Sequence, residues 1–233
     1  MPASVTPEYL LEGATYALEQ CGLLLRDANL LYRNGSYSSA VALALFAREE
    51  LGRYRILLGL RKQVLRGERF TIKEIQDRCW DHVRKQEAGM MSFVLRLVTD
   101  PALAKLLDTY LNAKPDSEER KTAREQLELD DKRTKRIPVE RHKQRMSALY
   151  VDAVAPNRWN RPTREISPTS ALLYLQDARN DYSVQYDHYT NLEIGKLADL
   201  ELYTALEKWV SRPTLSPPER PELPPWLTFK LPP

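Results

Sequence analysis

Apolar residues recur at helical spacing along most of the chain, and the clearest example is residues 36–60. Six apolar positions there follow one another at steps of three and four, namely Ala40, Ala44, Ala47, Leu51, Tyr54 and Leu58. This spacing predicts a long helix with one buried stripe. The stripe widens on one side, which places Glu50 inside it and leaves Glu49 pointing the other way.

The same periodicity predicts further helices, with a short connection between the first two that favours an antiparallel hairpin. These helices are expected over residues 7–32, from Thr71 to about 98, and over 102–111, 168–189 and 191–210. Residues 117–129 are helical by propensity but charge-dense, so we expect a solvated arm. Asn34 and Gly35 are expected to end the first helix in a left-handed cap.

Two candidate polar centres follow from this pattern. A carboxylate taken out of water needs a cation or a donor, so Glu50 is either a buried ion pair or an orienting group for a functional side chain. His82 lies on the apolar stripe of the third helix, and Lys85 follows three residues later on the same surface. His82 is either a satisfied core histidine or the partner that Glu50 requires.

A basic stretch, residues 130–145, is the best candidate for contacting phosphates, although a merely solvated loop would have the same composition. Pro138 is expected to interrupt any helix there. The residues predicted to bind RNA are Lys132, Arg133, Lys135, Arg141, Lys143 and Arg145. In the same stretch, Arg136 and His142 are separated by five residues.

Composition narrows the class of protein. The net charge of +3 is too small to indicate a nucleic-acid partner by itself, and the two cysteines, Cys21 and Cys79, are expected to be free thiols in a reducing compartment. The three histidines lack metal-ligand spacing, and no glycine-rich phosphate loop, secretion signal or membrane-spanning run is present. We therefore expect a cytoplasmic protein that uses no membrane, metal or cofactor.

The chain changes character after residue 211, where half of its 16 prolines are concentrated. Polyproline II is the natural state of such a segment. The predicted organisation is one helical domain over residues 1–211, with a charged, insertion-like segment at 117–167, and a Pro-rich tail at 212–233.

Residues 28–53, ANLLYRNGSYSSAVALALFAREELGR, resemble the AbiV abortive-infection proteins of the HEPN group. The family mark EELGK appears here with Arg53 in place of Lys. The family also tends to carry H-x-x-K on the next helix, matched by His82 and Lys85, and a basic segment ending in LYVD is similar as well. The resemblance covers about residues 8–190.

The resemblance implies an all-α, HEPN-like antiparallel bundle with additional C-terminal helices, usually a homodimer acting in phage defence. Many HEPN proteins are ribonucleases with an Arg-x(4–6)-His motif, which Arg136 and His142 satisfy, although Pro138 falls inside the motif. The candidate catalytic residues are therefore Glu50, His82, Lys85, Arg136 and His142. Glu50 would orient a cationic partner, a histidine would move protons, and Lys or Arg would bind phosphate.

Two hypotheses from different classes follow. The first is a defence protein that acts on RNA or on the translation machinery, including tRNA or ribosomes, as a metal-independent ribonuclease toxin. The second is a non-catalytic helical interaction protein that is switched by a phage or host protein. In the second case the Pro-rich tail or the basic stretch would be the docking surface.

Overall fold

The computed structural model describes residues 5–90, 96, 100–156 and 158–190, and these are overwhelmingly helical. The helices are α1 Pro7–Arg33, α2 Tyr37–Leu65, α3 Ile72–Trp80, α4 His82–Ala88, α5 Pro101–Asn112, α6 Glu118–Leu149, α7 Pro162–Glu165 and α8 Pro168–Thr190. Two short strands, β1 Ala153–Ala155 and β2 Arg158–Trp159, pair antiparallel. The predicted all-α fold class is confirmed.

The hairpin of α1 and α2 forms as predicted. The Thr6 hydroxyl caps α1 by accepting from the Tyr9 amide. At the other end Gly35 adopts φ of +77°. The amides of Gly35 and Ser36 return to the carbonyls of Tyr32 and Leu31, a Schellman arrangement that stops the helix and reverses the chain.

Helix α2 lies at the centre of the described bundle, in contact with α1, α4, α6 and α8. The predicted stripe is buried, but a second row along the same helix is buried too: Val41, Leu45, Arg48, Glu49 and Gly52. The expectation that Glu49 points away from the interior is therefore wrong. A helix packed on several sides has more than one inward face, and a single apolar stripe identifies only one of them.

The predicted helix from Thr71 onward begins correctly, with a capping box between Thr71 and Glu74. It does not run continuously to about residue 98 as predicted, because Asp81 has an extended conformation and separates α3 from α4. The Asp81 carboxylate accepts from the amides of Val83 and Arg84 and so caps α4. Most residues between Met90 and Asp100 lie outside the described part of the chain.

Helix α6 runs without interruption from Glu118 to Leu149, so the expectation of a break at Pro138 is wrong. Residues 117–129, expected to be a solvated arm with helical propensity, lie at the start of this helix and are mostly exposed. A proline inside a helix costs about 3 kcal/mol. Here Pro138 is buried, and α6 packs against α5, α2 and α4. We attribute the continuity of α6 to this packing, which local sequence does not reveal.

The hairpin of β1 and β2 was not predicted and follows α6 directly. The Asn160 side chain donates to the carbonyls of Ser147 and Tyr150, which ties the hairpin to the end of α6. Helix α8 matches the predicted helix at 168–189. The predicted helix at 191–210 and the Pro-rich tail lie outside the described residues. No helix of the described part is both long and apolar enough to cross a membrane.

Candidate functional site

The Glu49 carboxylate is the centre of a cluster that joins α2, α4 and α6. Its Oε2 lies 2.6 Å from Nδ1 of His82 and 3.3 Å from Nζ of Lys85, and its Oε1 lies 3.0 Å from Nη1 of Arg145. The side chains of Glu49, Lys85 and Arg145 are 2%, 5% and 6% exposed, whereas His82 is 42% exposed. One buried acid thus faces two buried permanent cations and a histidine that reaches solvent.

Glycine makes the approach of α2 and α4 possible. A Cβ on Gly52, one turn after Glu49, would lie 1.8 Å from the Lys85 carbonyl oxygen. A Cβ on Gly89 would lie 2.7 Å from the Arg48 carbonyl oxygen. Backbone contact at this distance excludes any side chain. The Gly of the EELG run therefore brings α4 close enough for Glu49 to reach His82 and Lys85.

Two histidines from different helices stack at the edge of this cluster. The rings of His82 and His142 are 5.7 Å apart and 22° from parallel. Arg145 lies between the buried acid and the second ring, with Nη2 3.3 Å from Nδ1 of His142. Its guanidinium also covers the Phe46 ring at 4.9 Å, which holds the group in one plane.

The hydrogen-bond network assigns the two tautomers. Nδ1 of His82 lies 2.6 Å from the Glu49 carboxylate, which only accepts, and 3.1 Å from Nη1 of Arg145, which only donates. The shorter contact, to a charged acceptor, is the stronger one, so we assign Nδ1 of His82 as a donor to Glu49. Arginine only donates, so Nδ1 of His142 must accept from Arg145. Neutral His82 therefore carries its lone pair at Nε2, and neutral His142 carries its hydrogen at Nε2. At Nε2, neutral His82 can therefore accept a proton, whereas neutral His142 can donate a hydrogen bond.

The surroundings of His142 favour this neutral form. Partial burial lowers the pKa of His142, and the neighbouring charges of Arg145 and His82 lower it further. Glu49 and Asp81 act in the opposite direction with smaller effect. His142 is therefore biased toward a neutral hydrogen-bond donor.

Glu50 lies outside this cluster, which corrects its predicted place opposite His82 and Lys85. It forms an ion pair with Arg53, with Nη1 3.3 Å from Oε2. Burial raises the pKa of Glu50, although Arg53 and Lys85 oppose that shift. The need for a buried acid was predicted correctly, but Glu49 fills it.

A second charge network lies beside the first and joins α2, α6 and α8. Arg48, which is buried, forms ion pairs with Asp181 and with Asp177, the latter at 3.1 Å. Arg141 also donates to Asp177, at 2.5 Å. Burial lowers the pKa of Arg141 and raises that of Asp181.

The predicted RNA-binding residues separate into two groups. Arg141 and Arg145 turn inward to Asp177 and Glu49. The remainder are exposed on α6, together with Arg136: Lys132, Arg133, Lys135 and Lys143. Arg136 lies about 9 Å along the helix axis from His142 and about 120° around it, so the helix places them on different faces.

The sequence carries a signal for this site that apolar periodicity alone does not reveal. His82-x-x-Lys85 has a counterpart in His142-x-x-Arg145, and both pairs fall on one face of their helices at a spacing of three. The two motifs converge on Glu49 from α4 and α6. Asp177 and Asp181 have no such signal. In the described residues no group of three or more His, Cys, Asp or Glu could hold a metal ion.

No curated protein and no solved structure matches the chain. The family model described as AbiV, of the HEPN group, matches residues 9–181, which include both histidine motifs and the EELG run. The chain therefore belongs to the AbiV family of HEPN proteins.

Proposed function

We propose that this protein, whose family indicates a role in abortive-infection phage defence, is a metal-independent endoribonuclease toxin centred on His82. The observation that carries the proposal is the contact of Nδ1 of His82 with a buried carboxylate, while the His82 side chain as a whole is 42% exposed. A carboxylate in this position orients an imidazole and stabilises its protonated form. Glu49, in place of Glu50, is the orienting acid.

The proposed reaction uses the ribose 2′-hydroxyl as its nucleophile. Nε2 of His82 takes the 2′-hydroxyl proton while the 2′-oxygen attacks the adjacent phosphorus. The imidazolium, held by Glu49, then returns that proton to the departing 5′-oxygen. The products are a 2′,3′-cyclic phosphate and a 5′-hydroxyl.

Charge at the cluster suits this reaction. The two positive charges of Lys85 and Arg145 outnumber the single negative charge of Glu49, so these three side chains leave a net positive charge beside the two rings. Fixed charges that are already in place beside the reacting atoms stabilise a developing phosphorane. Nε2–H of His142 would donate to a non-bridging phosphate oxygen.

The exposed basic residues of α6 would bind the RNA strand on either side of the reacting phosphate. They are Lys132, Arg133, Lys135, Arg136 and Lys143. Nζ of Lys135 forms an ion pair with the Asp131 carboxylate at 2.6 Å, so we expect the other four residues to contribute more to RNA binding. Phosphate contacts of this kind give affinity with little dependence on sequence.

The test is incubation of purified protein with total RNA, tRNA and ribosomes in the presence of a chelator. Wild-type protein and His188→Ala, which changes the third histidine, should cleave RNA, and His82→Ala should not. His142→Ala should retain slow cleavage, because His82 is still paired with Glu49. Cleavage by His82→Ala at the wild-type rate would refute the proposed base.

One observation favours the second hypothesis, a non-catalytic interaction protein. Lys85 and Arg145 both point at Glu49 and are almost inaccessible, as expected for an ionic connection that only holds three helices together. On this hypothesis a folded protein cleaves none of these RNAs, with or without its phage trigger. Deletion of residues 212–233 would then abolish binding to a phage or host protein.

The homodimer stays a prediction from the family resemblance, and the cytoplasmic location stays a prediction from the composition and sequence of the chain. Light scattering during gel filtration checks the first and cell fractionation the second. A mass near twice 27.0 kDa is the expected result.

A further inference from the structure

Asp177, on α8, is the residue at which the second charge network approaches the proposed site. One oxygen of its carboxylate, Oδ2, accepts a hydrogen bond from Nη2 of Arg141 of α6 at 2.5 Å and lies 3.1 Å from Nη1 of Arg48 of α2. A single side chain thus ties two helices that otherwise belong to different halves of the site.

The two arginines are the immediate chain neighbours of site residues. Arg48 precedes Glu49 in α2, and Arg141 precedes His142 in α6. Consecutive residues on a helix point about 100° apart, so each helix presents one residue to each network. Any change in the spacing of α2 and α6 at Asp177 therefore changes the distance between Glu49 and His142.

The contacts that hold α6 against α2 at the site are short. The 3.0 Å contact of Arg145 with Glu49 crosses from α6 to α2, and the 3.3 Å contact of Arg145 with His142 lies within α6, so α6 carries Arg145 and His142 together. A displacement of about 1 Å at a catalytic geometry is enough to cost about a hundredfold in rate. Arg48 keeps its ion pair with Asp181 if Asp177 is replaced, so α8 stays attached while the bridge to Arg141 opens.

We propose that Asp177 is a positioning residue for the ribonuclease site, which sets the spacing of α2 and α6 so that α6 holds Arg145 against Glu49 and His142 beside His82. This inference rests on the proposed ribonuclease function. Asp177 touches none of the reacting groups. Its contribution passes through Arg141 and Arg48 to the neighbouring residues.

The test compares Asp177→Asn with Asp27→Asn in the full chain. Asp27 is a matched control, because its side chain is 47% exposed against 49% for Asp177 and it is also paired with an arginine, Arg26. Two readouts are measured: kcat and KM for cleavage of a single-stranded RNA, and the pKa of His142 from its imidazole NMR resonance.

Asp177→Asn should lower kcat about tenfold or more with KM within about twofold, because positioning is impaired while the RNA-binding surface is kept. The pKa of His142 should rise toward its ordinary value, because a displaced α6 leaves its ring less buried and farther from His82. Asp177→Glu, which restores the carboxylate, should recover most of the rate, and Asp27→Asn should match wild type in both readouts.

An unchanged pKa of His142 in a folded Asp177→Asn protein would overturn the inference, as would equal losses of kcat in Asp177→Asn and Asp27→Asn. If wild-type protein cleaves no RNA, the proposed function fails, yet the pKa of His142 still decides whether Asp177 positions that residue. The two failures are therefore distinguishable.

Discussion

At the scale of single residues, the adjacent acids Glu49 and Glu50 differ in their burial and in their partners. Glu49 is buried against two cations and a histidine, whereas Glu50 forms an ion pair with Arg53 on its own helix. Apolar periodicity could predict that one acid of the pair was buried, because a strong stripe passes beside them. It could not predict which one, since the answer depends on α4 and α6 packing on the second face of α2.

This contrast gives a stability prediction. Glu49→Gln should lower the free energy of unfolding by about 3 kcal/mol or more, because it leaves Lys85 and Arg145 buried without their acid. Glu50→Gln should change it by less than about 1 kcal/mol, since burial already disfavours the charged form of Glu50. Urea unfolding at neutral pH measures both values. An equal loss in the two variants would contradict the assignment of Glu49 as the central acid.

His142 gives a pH prediction. The pKa of His142 is lowered in the folded protein. As pH falls, this histidine therefore binds a proton in the unfolded chain, at about pH 6.5, before it does so in the folded protein. The stability that the neutral ring contributes is present above that pH and is lost as pH falls through the lower, folded pKa. Urea unfolding between about pH 8 and 5 should show this loss.

The matched variants are His142→Gln and His188→Gln. His142→Gln should flatten this part of the pH dependence, and His188→Gln should leave it intact. A slope that survives in His142→Gln would show that another group is responsible.

At the scale of elements, the site depends on how closely α4 approaches α2. Gly52 and Gly89 supply the space, and Gln86 fixes the register by donating from Nε2 to the Leu45 carbonyl at 2.8 Å. The helices themselves were predictable from periodicity and caps, as α1, α2, α5 and α8 show. The division at Asp81 was not, because the apolar pattern continues across it.

Gly52→Ala tests the approach of these two elements. The new methyl group meets the Lys85 backbone, so α4 must move, and we expect a loss of about 1–3 kcal/mol in the free energy of unfolding together with loss of RNA cleavage. Gly59→Ala is the matched control on the same helix, with nothing within 4 Å of the added Cβ. It should be neutral or stabilising by up to about 1 kcal/mol. Equal stability and activity of the two variants would refute the role of close helix approach.

At the scale of the whole molecule, the described fold brings two distant basic motifs to one acid. Each motif was visible in sequence, and the family resemblance drew attention to His82, Lys85 and His142. They meet at Glu49 on an α6 that runs unbroken past Pro138, which local sequence argued against. Long-range packing decided that point, and it also placed Asp177 and Asp181 where no motif predicted them.

The distribution of charge over the molecule predicts a salt-dependent interaction with RNA. Replacing Lys132, Arg133, Arg136 and Lys143 with Gln should reduce the slope of log K against log salt by roughly 0.7 for each phosphate that is no longer bound. Binding is measured with RNA that carries 2′-deoxy residues and cannot be cleaved.

The control for this binding experiment replaces Lys121 and Arg124, which lie on the same helix and are paired with Glu118 and Glu128. It should leave the slope near wild type. A slope equally reduced by both sets would show that binding follows net charge and not the predicted surface.

The most direct measurement of the central claim is the chemistry of the RNA ends produced in the presence of a chelator. Proton transfer through Nε2 of His82 to and from the ribose predicts 2′,3′-cyclic phosphate and 5′-hydroxyl ends, and no cleavage at 2′-deoxy positions. Products with 5′-phosphate ends, or cleavage at 2′-deoxy positions, would contradict the assignment of His82 and Glu49 as the catalytic pair.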